Sequence, residues 1–172
     1  GRRKDFFTKE LENALIILDQ GHFDRKSFKG SWAGAFGQTQ FMPSTFLKYA
    51  VDFDGDSKKN LFSKHDALAS GANYLKSVGW NNYLPWGQKV NISITDQIRD
   101  LEKKKIFKSF NFWNEKGANL NNKFKNVKLR IVVPDSKYNE CYLVSENFDV
   151  ILDWNRSNYF ALTVFLFSDE IN

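Results

Sequence analysis

The run VKLRIVV at positions 127–133 sets Val127, Leu129, Ile131 and Val133 against Lys128 and Arg130. This two-residue period lays one apolar and one polar face along an extended strand. Everything before Trp80 follows the other period. Phe7, Leu11, Ala14, Leu15 and Leu18 recur at helical spacing over positions 6–18, and Gly21 follows as a stop. Pro43 opens a second helix, to about position 51, because a first turn has no use for the N–H that proline lacks. Ser63 and Asp66 read as a capping-box-like start to a third, with Leu68, Ala72, Leu75 and Val78 on one face and Gly79 at its end. Around the alternating run, positions 140–145 and 148–152 supply the other strands of a small antiparallel sheet, with a short helix over 96–105 and a loop over 119–123. Positions 156–167, with Tyr159, Phe160, Leu162, Val164, Phe165 and Leu166, are apolar nearly all round, as in a buried helix. The expected fold is α+β: a mainly helical body with a small antiparallel β insertion before the last helix. The expected segments are a helical part over 1–84, a small α/β insertion over 85–153, and a C-terminal helix over 154–172 that returns to the helical part.

At 172 residues and 42% hydrophobic the chain can close a core, and 16% aromatic content excludes a disordered tail. Seventeen Phe point to a Phe-packed core, and the Tyr and Trp add flat faces on which sugar rings can stack. The net charge of +5 favours anionic partners, among them the carboxylate-bearing peptides of a bacterial cell wall. The densest basic run, Lys103-Lys104-Lys105, reads as a solvated helix end, so no nucleic-acid partner is expected. Cys141 stands alone and makes no intrachain disulfide. No apolar run approaches the roughly 20 residues of a membrane span. Gly1-Arg2-Arg3-Lys4 is not followed by a signal-peptide core, which places any export signal upstream.

GSWAGAFGQTQFMPS, positions 30–44, carries most of the functional information. Gly30, Gly34 and Gly37 relax the φ restriction and remove bulk, so that backbone amides can face a ligand; Ser31, Gln38 and Gln40 offer neutral donors and acceptors suited to a polyhydroxyl compound. A close-packed turn between helices would use the same glycines and alanines, and that reading stands beside the first. Asp52-Phe53-Asp54-Gly55-Asp56-Ser57-Lys58 resembles the opening of an EF-hand-type loop, with carboxylates at positions one, three and five and a carbonyl at seven. Ser57 replaces the usual glycine at six, and Ser63 stands at twelve where a bidentate Glu is usual. Asp66, three residues further, is the nearest later carboxylate. A solvated acidic turn is the alternative, although carboxylates crowded without a cation repel one another.

GSWAGAFGQTQFMPS, followed by YAVDFDGDSKKNLFSKHDALASGANYLKSVGW at 49–80, resembles the membrane-bound lytic murein transglycosylase B family, bacterial cell-wall enzymes with a lysozyme-like catalytic domain. Arg2-Arg3 at the start and Trp154-Asn155-Arg156-Ser157 before the last helix extend the resemblance over nearly the whole chain. It implies non-hydrolytic cleavage of the β-1,4 bond between N-acetylmuramic acid and N-acetylglucosamine, leaving a 1,6-anhydro sugar. One glutamic acid protonates the glycosidic oxygen and then, as carboxylate, takes the proton from the attacking 6-hydroxyl. The resemblance further implies that Ser31, Gln40, Phe41, Met42, Tyr74 and Asn155 line the saccharide cleft, with Arg3 at its edge. Phe6 and Trp154 take positions where the family tends to carry tyrosines, keeping a stacking face. The acidic loop then holds a structural Ca²⁺ or Na⁺ through Asp52, Asp54, Asp56, the Lys58 carbonyl and Asp66.

The family's catalytic Glu lies in a Glu-Ser/Thr-x-aromatic-Gly motif ahead of the paired arginines. No such motif follows Gly1, so the catalytic Glu is expected upstream and this chain alone is expected to be inactive. Glu10 and Glu12 lack the motif and read as surface residues of an amphipathic helix. Without the resemblance, Phe41 and Met42 read equally as core, Tyr74 as helix packing and Asn155 as the N-cap of the last helix. The expectation is a monomeric, periplasmic enzyme of peptidoglycan glycan strands, with outer-membrane anchoring through an upstream segment left open. The alternative is a non-catalytic glycan-binding module that has kept the cleft and lost the acid.

Overall fold

The computed structural model describes residues 3–135 and 140–171. The chain divides into two compact units, Gly1–Ser77 and Val78–Asn172. The first is helical: α1 (Lys4–Asp19), α2 (Pro43–Tyr49) and α3 (Lys64–Ser77), with α1 packed on α2 and α2 on α3. The second runs β1 (Gly87–Val90), α4 (Asp96–Lys103), α5 (Phe110–Glu115), a 3₁₀ turn at Asn122–Phe124, β2 (Arg130–Asp135), β3 (Glu140–Val144), α6 (Glu146–Trp154) and α7 (Asn158–Glu170). Its strands form one antiparallel sheet in the order β1-β3-β2.

The expected helices form, but two bury a face other than the one their leucines mark. In α1 the buried residues are Glu10 and Ile17, whereas Leu11 and Leu15 are exposed. In α3 they are Asp66, Ala67, Ser70 and Gly71, and Leu68 is 74% exposed. The small side chains of that face let backbone come close, and its polar groups are spoken for: Ser70 Oγ accepts the Val51 N–H at 3.0 Å. Asp66 closes no capping box with Ser63, because its oxygens accept the N–H groups of Phe53 and Asn60, at 2.8 and 2.7 Å. Behind these helices Phe23, Phe28, Phe36, Phe46 and Phe62 make a continuous cluster of ring contacts. Of these rings Phe36 and Phe46 are buried, each contributing about 3–5 kcal/mol against alanine, whereas Phe62 is exposed at the edge of the cluster, so only part of the phenylalanine count goes into the core.

The sheet departs from expectation at one strand. Positions 148–152 are helical, inside α6, and the third strand is β1, which pairs Gly87 with Val144 and Val90 with Cys141. A short apolar run carries no period long enough to separate helix from strand. Gly87 is required there, since a Cβ would lie 2.5 Å from the Leu143 carbonyl oxygen. The strict alternation read over 127–133 also fails at Arg130, which is only 3% exposed. Its guanidinium bonds both oxygens of Asp149 on α6 and lies 5.4 Å from the Phe148 ring centre, so the charge is buried as a bidentate pair. Trp113, fully buried, donates from its indole N–H to the Leu129 carbonyl at 2.8 Å and centres the core around Phe124, Ile131 and Leu143. Helix α7 buries Ala161, Leu162 and Phe165 and leaves Tyr159 and Phe167 exposed, so it is apolar all round without being buried all round. Ser157, rather than Asn155, caps it, accepting the Phe160 N–H; Asn155 closes α6 instead.

Candidate functional site

The glycine-rich run folds into two successive tight reversals in which Gly30 pairs with Phe36 and Phe36 with Phe41. Its amides turn inward. Ser31 N–H donates to the Ala35 carbonyl at 2.7 Å, Gly34 N–H to that of Ser31 at 2.9 Å, and Gln38 N–H to that of Leu61 at 2.8 Å. The Ser31 hydroxyl accepts the Ala35 N–H at 3.2 Å. A Cβ on Gly30 would sit 2.7 Å from the Ala35 oxygen, and one on Gly37 only 2.4 Å from the Leu61 Cβ. Two of the three glycines therefore serve close packing of the chain on itself. Gly34, at φ +95°, has only the Met42 methyl nearby, at 3.8 Å.

This turn forms one wall of a cleft of about 440 Å³. Helix α1 forms the other with Phe7, Glu10, Leu11 and Ala14; Ser31, Trp32 and Gly34 face it from the turn, and Phe36 and Pro43 lie at its base. Trp32 is 94% exposed on the rim. Glu10 corrects the sequence reading: it is 6% exposed, and its carboxylate accepts the N–H and the hydroxyl of Ser44 in the first turn of α2. Its spacing from Phe7, Ala14 and Ile17 placed it on the buried stripe, a signal that the Leu11, Leu15 and Leu18 pattern obscured.

The remaining expected residues fall in three places. Gln40, exposed and held at φ +50°, donates its side-chain amide to the Gly37 carbonyl at 2.8 Å. That strained backbone, in a residue with a Cβ, sits at the tip of the reversal. Phe41 is 3% exposed and its ring meets that of Tyr74, 5.7 Å between centres, with Tyr74 in turn edge-on to Tyr49 at 5.0 Å. The structure thus brings Met42 close to Gly34 and sets Phe41 against Tyr74. Arg3 is exposed just before α1. Arg2 lies outside the described residues. Trp154 ends α6 and Asn155 follows it, both in the second unit.

Oxygen atoms of Asp52, Asp54 and Asp66 lie within 4.8 Å of one another. Asp66 is 1% exposed and fixed by the two N–H groups of Phe53 and Asn60, while Asp52 accepts those of Gly55 and Ser57 at 2.7 and 2.9 Å. Asp56 accepts the Lys58 N–H at 2.8 Å and stands outside that set. Ser57, where an EF-hand has glycine, takes φ +70° all the same, so the backbone bend is made at a cost in strain. The donor set is all oxygen and acidic, which fits a hard cation such as Ca²⁺. Beside this loop the Lys59 N–H donates to His22 Nδ1 at 3.2 Å. Burial lowers the His22 pKa, the Lys59 charge lowers it further, and Asp52 opposes both.

Comparison with known proteins extends this picture. The Transglycosylase SLT domain family matches residues 1–169. Membrane-bound lytic murein transglycosylase B of Escherichia coli (strain K12) is 48% identical over 79 residues, covering 46% of this chain and 22% of that protein. SltB3 of Pseudomonas aeruginosa, solved in complex with NAG-anhNAM-pentapeptide, superposes with a TM-score of 0.91 at 39% identity, over 99% of this chain and 47% of its own. The Escherichia coli lytic transglycosylase Slt35, solved in complex with calcium, gives a TM-score of 0.77 at 30% identity, over 96% of this chain and 53% of its own. The chain thus spans about half the length of these solved relatives and less of the E. coli membrane-bound protein. On the match from residue 1 to residue 169, the chain belongs to the Transglycosylase SLT domain family.

Proposed function

We propose that the chain is part of a lytic murein transglycosylase that cleaves the MurNAc-β-1,4-GlcNAc bond of peptidoglycan without water and leaves a 1,6-anhydroMurNAc end. The observation that carries this is the TM-score of 0.91 over 99% of the chain with a lytic transglycosylase relative bound to an anhydro-muropeptide. Ser31, Gln40, Phe41, Met42 and Tyr74, with Trp154, Asn155 and Arg3, are assigned to the glycan. The hydroxyl and amide groups bind sugar hydroxyl and acetamido groups, and the aromatic rings give stacking faces. The segment boundaries at 84 and 153 belong to the same proposal, as does a periplasmic address. Among the described residues no helix is long and apolar enough to cross a membrane.

The proton chemistry asks for one carboxylic acid that gives and then takes a proton. We assign it to no residue of this chain. Glu10, the carboxylate in the cleft, has one oxygen on the Ser44 N–H and the other on its hydroxyl, which fixes it as a strut. None of the chain's glutamates carries the Glu-Ser/Thr-x-aromatic-Gly motif. Asp52, Asp54 and Asp66, with Asp56 and the Lys58 carbonyl, would hold Ca²⁺ or Na⁺, whose part is to neutralise the carboxylates and fix the loop.

Purified murein sacculi digested with the chain, and separately with the complete product of its gene, test the reading by mass spectrometry of the released muropeptides. Anhydro-ended products from the complete protein support it. Sacculus binding with no anhydro products from either protein replaces it with a non-catalytic glycan-binding module.

A further inference from the structure

We infer that Gln38 is a positioning residue for glycan binding: it clamps the tip of the glycine-rich turn so that the Gln40 side-chain amide meets the sugar in one fixed orientation. This rests on the transglycosylase reading above, which assigns Gln40 to the glycan. Gln38 is exposed, yet its side chain is spent on the protein itself. Its Nε2 donates to the Phe62 carbonyl at 2.9 Å, and its backbone N–H donates to that of Leu61 at 2.8 Å. The strap that receives both bonds is fixed in turn. Leu61 is fully buried, the Asn60 N–H donates to the Asp66 carboxylate at 2.7 Å, and the Phe62 N–H donates to the Asn60 side-chain oxygen at 3.0 Å. Attachment at two points to such a strap sets both the place and the orientation of the turn at Gln38.

Gly37 passes this constraint on to Gln40. Its carbonyl accepts the Gln40 backbone N–H at 3.2 Å and the Gln40 Nε2 at 2.8 Å. A backbone carbonyl accepts and never donates, so Gln38 and Gln40 must each turn the nitrogen of the side-chain amide toward theirs. Gln40 therefore keeps Oε1 as a free acceptor: among the described residues nothing donates to it. An exposed glutamine held by nothing would flip and exchange its donor and acceptor ends. Held in advance, Gln40 spares an N-acetyl sugar the cost of ordering that side chain on binding. The strained φ of +50° at Gln40 belongs to the same device, since bonds on the preceding residues hold the turn in a conformation that a residue with a Cβ seldom takes.

The test is a double-mutant cycle on the binding of NAG-NAM disaccharide, read by isothermal titration calorimetry, with ¹⁵N–¹H spectra of the side-chain amides alongside. Gln40→Ala is expected to weaken binding about tenfold and Gln38→Ala about threefold to fivefold, the scale of one hydrogen bond. Added to Gln40→Ala, the Gln38→Ala change should cost less than about twofold, because the group it positions is gone. Gln38→Glu, matched in length but without the donor, should behave as Gln38→Ala. The melting temperature of both Gln38 variants should stay within about 4 °C of the unaltered chain. The Gln40 Nε2 signals, identified by their loss in Gln40→Ala, should move in Gln38→Ala to the positions of a free glutamine amide. Gln40 signals that do not move overturn the clamp whatever the sugar does. Unchanged affinity in Gln38→Ala, or the same loss with and without Gln40, overturns it too and leaves the transglycosylase reading standing. No binding of the disaccharide by the unaltered chain removes the glycan assignment along with it.

Discussion

Glu10 of α1 accepts the Ser44 N–H at 2.9 Å and the Ser44 hydroxyl at 2.6 Å, so one helix caps the first turn of the next. The contact spans 34 positions of sequence and lies beside Gln40, Phe41 and Met42, which lead directly into α2. A negative charge at a helix N-terminus is favoured by the orphan N–H groups there, and no side chain caps α2 from its own strand of chain. Glu10→Ala should therefore lower unfolding free energy by about 3 kcal/mol in urea titration, since hydrogen bonds to a charged group are worth about 1.5–3 kcal/mol each. Glu10→Gln, which keeps an acceptor for the N–H, should lose about 1 kcal/mol. Equal losses in the two variants would mean that the carboxylate charge, and not a neutral acceptor or the filled volume, sets the cost.

Gly37 and Gly21 have nearly the same backbone, φ +71° and +74°, in different surroundings. A Cβ on Gly21 meets nothing within 4 Å, and one on Gly37 meets Leu61 at 2.4 Å. Gly21→Ala should cost only the left-handed penalty, about 1–2 kcal/mol. Gly37→Ala adds overpacking and should cost about 2–5 kcal/mol. Thermal unfolding of the two variants side by side decides this; a Gly21→Ala change as costly as Gly37→Ala would contradict the close approach to Leu61.

Helix existence was legible from apolar spacing alone, because a stretch such as 6–18 is long enough for the 3.6 period to show. Which face would be buried was not. Leu11 and Leu68 look like core and are exposed, whereas Glu10, Asp66 and Arg130 look like surface and are buried, because each carries hydrogen-bonding partners that only the tertiary fold supplies. Strand β1 was illegible for a related reason: Gly-Gln-Lys-Val has no apolar alternation, and its pairing with β3 is specified by the space that Gly87 leaves. The acidic loop showed Asp52, Asp54 and Asp56 by spacing, and of these Asp52 and Asp54 fall in the converging set. Asp66 came only through family resemblance, since it reaches the loop from the following helix.

His22 makes stability depend on pH in a window of its own. Burial is the main cause of its lowered pKa, followed by the Lys59 charge. Because the folded state disfavours the imidazolium, the unfolded chain binds the proton first. The contribution of the neutral ring is complete above the ordinary value near 6.5 and is lost as pH falls from there through the lowered folded value. His22→Asn keeps an acceptor for the Lys59 N–H and removes the titration. Urea titrations between about pH 5 and 7 should show the unaltered chain losing stability on acidification more steeply than the variant; parallel curves would assign the slope elsewhere.

Asp54 gives the cleanest test of the cation loop. Asp52 and Asp66 each hold two backbone N–H groups, so changing either disturbs the loop whether or not an ion is present. Asp54 is exposed, faces the same point, and carries no such bond. An ion bound only by the folded chain adds about 2.7 kcal/mol at a hundredfold excess over its dissociation constant. Ca²⁺ should therefore raise the melting temperature of the unaltered chain and EDTA reverse it, with Na⁺ as the parallel arm. Asp54→Asn should match the unaltered chain in EDTA and respond to Ca²⁺ only at much higher concentration. If the variant responds to Ca²⁺ as the unaltered chain does, the three converging carboxylates are not the site.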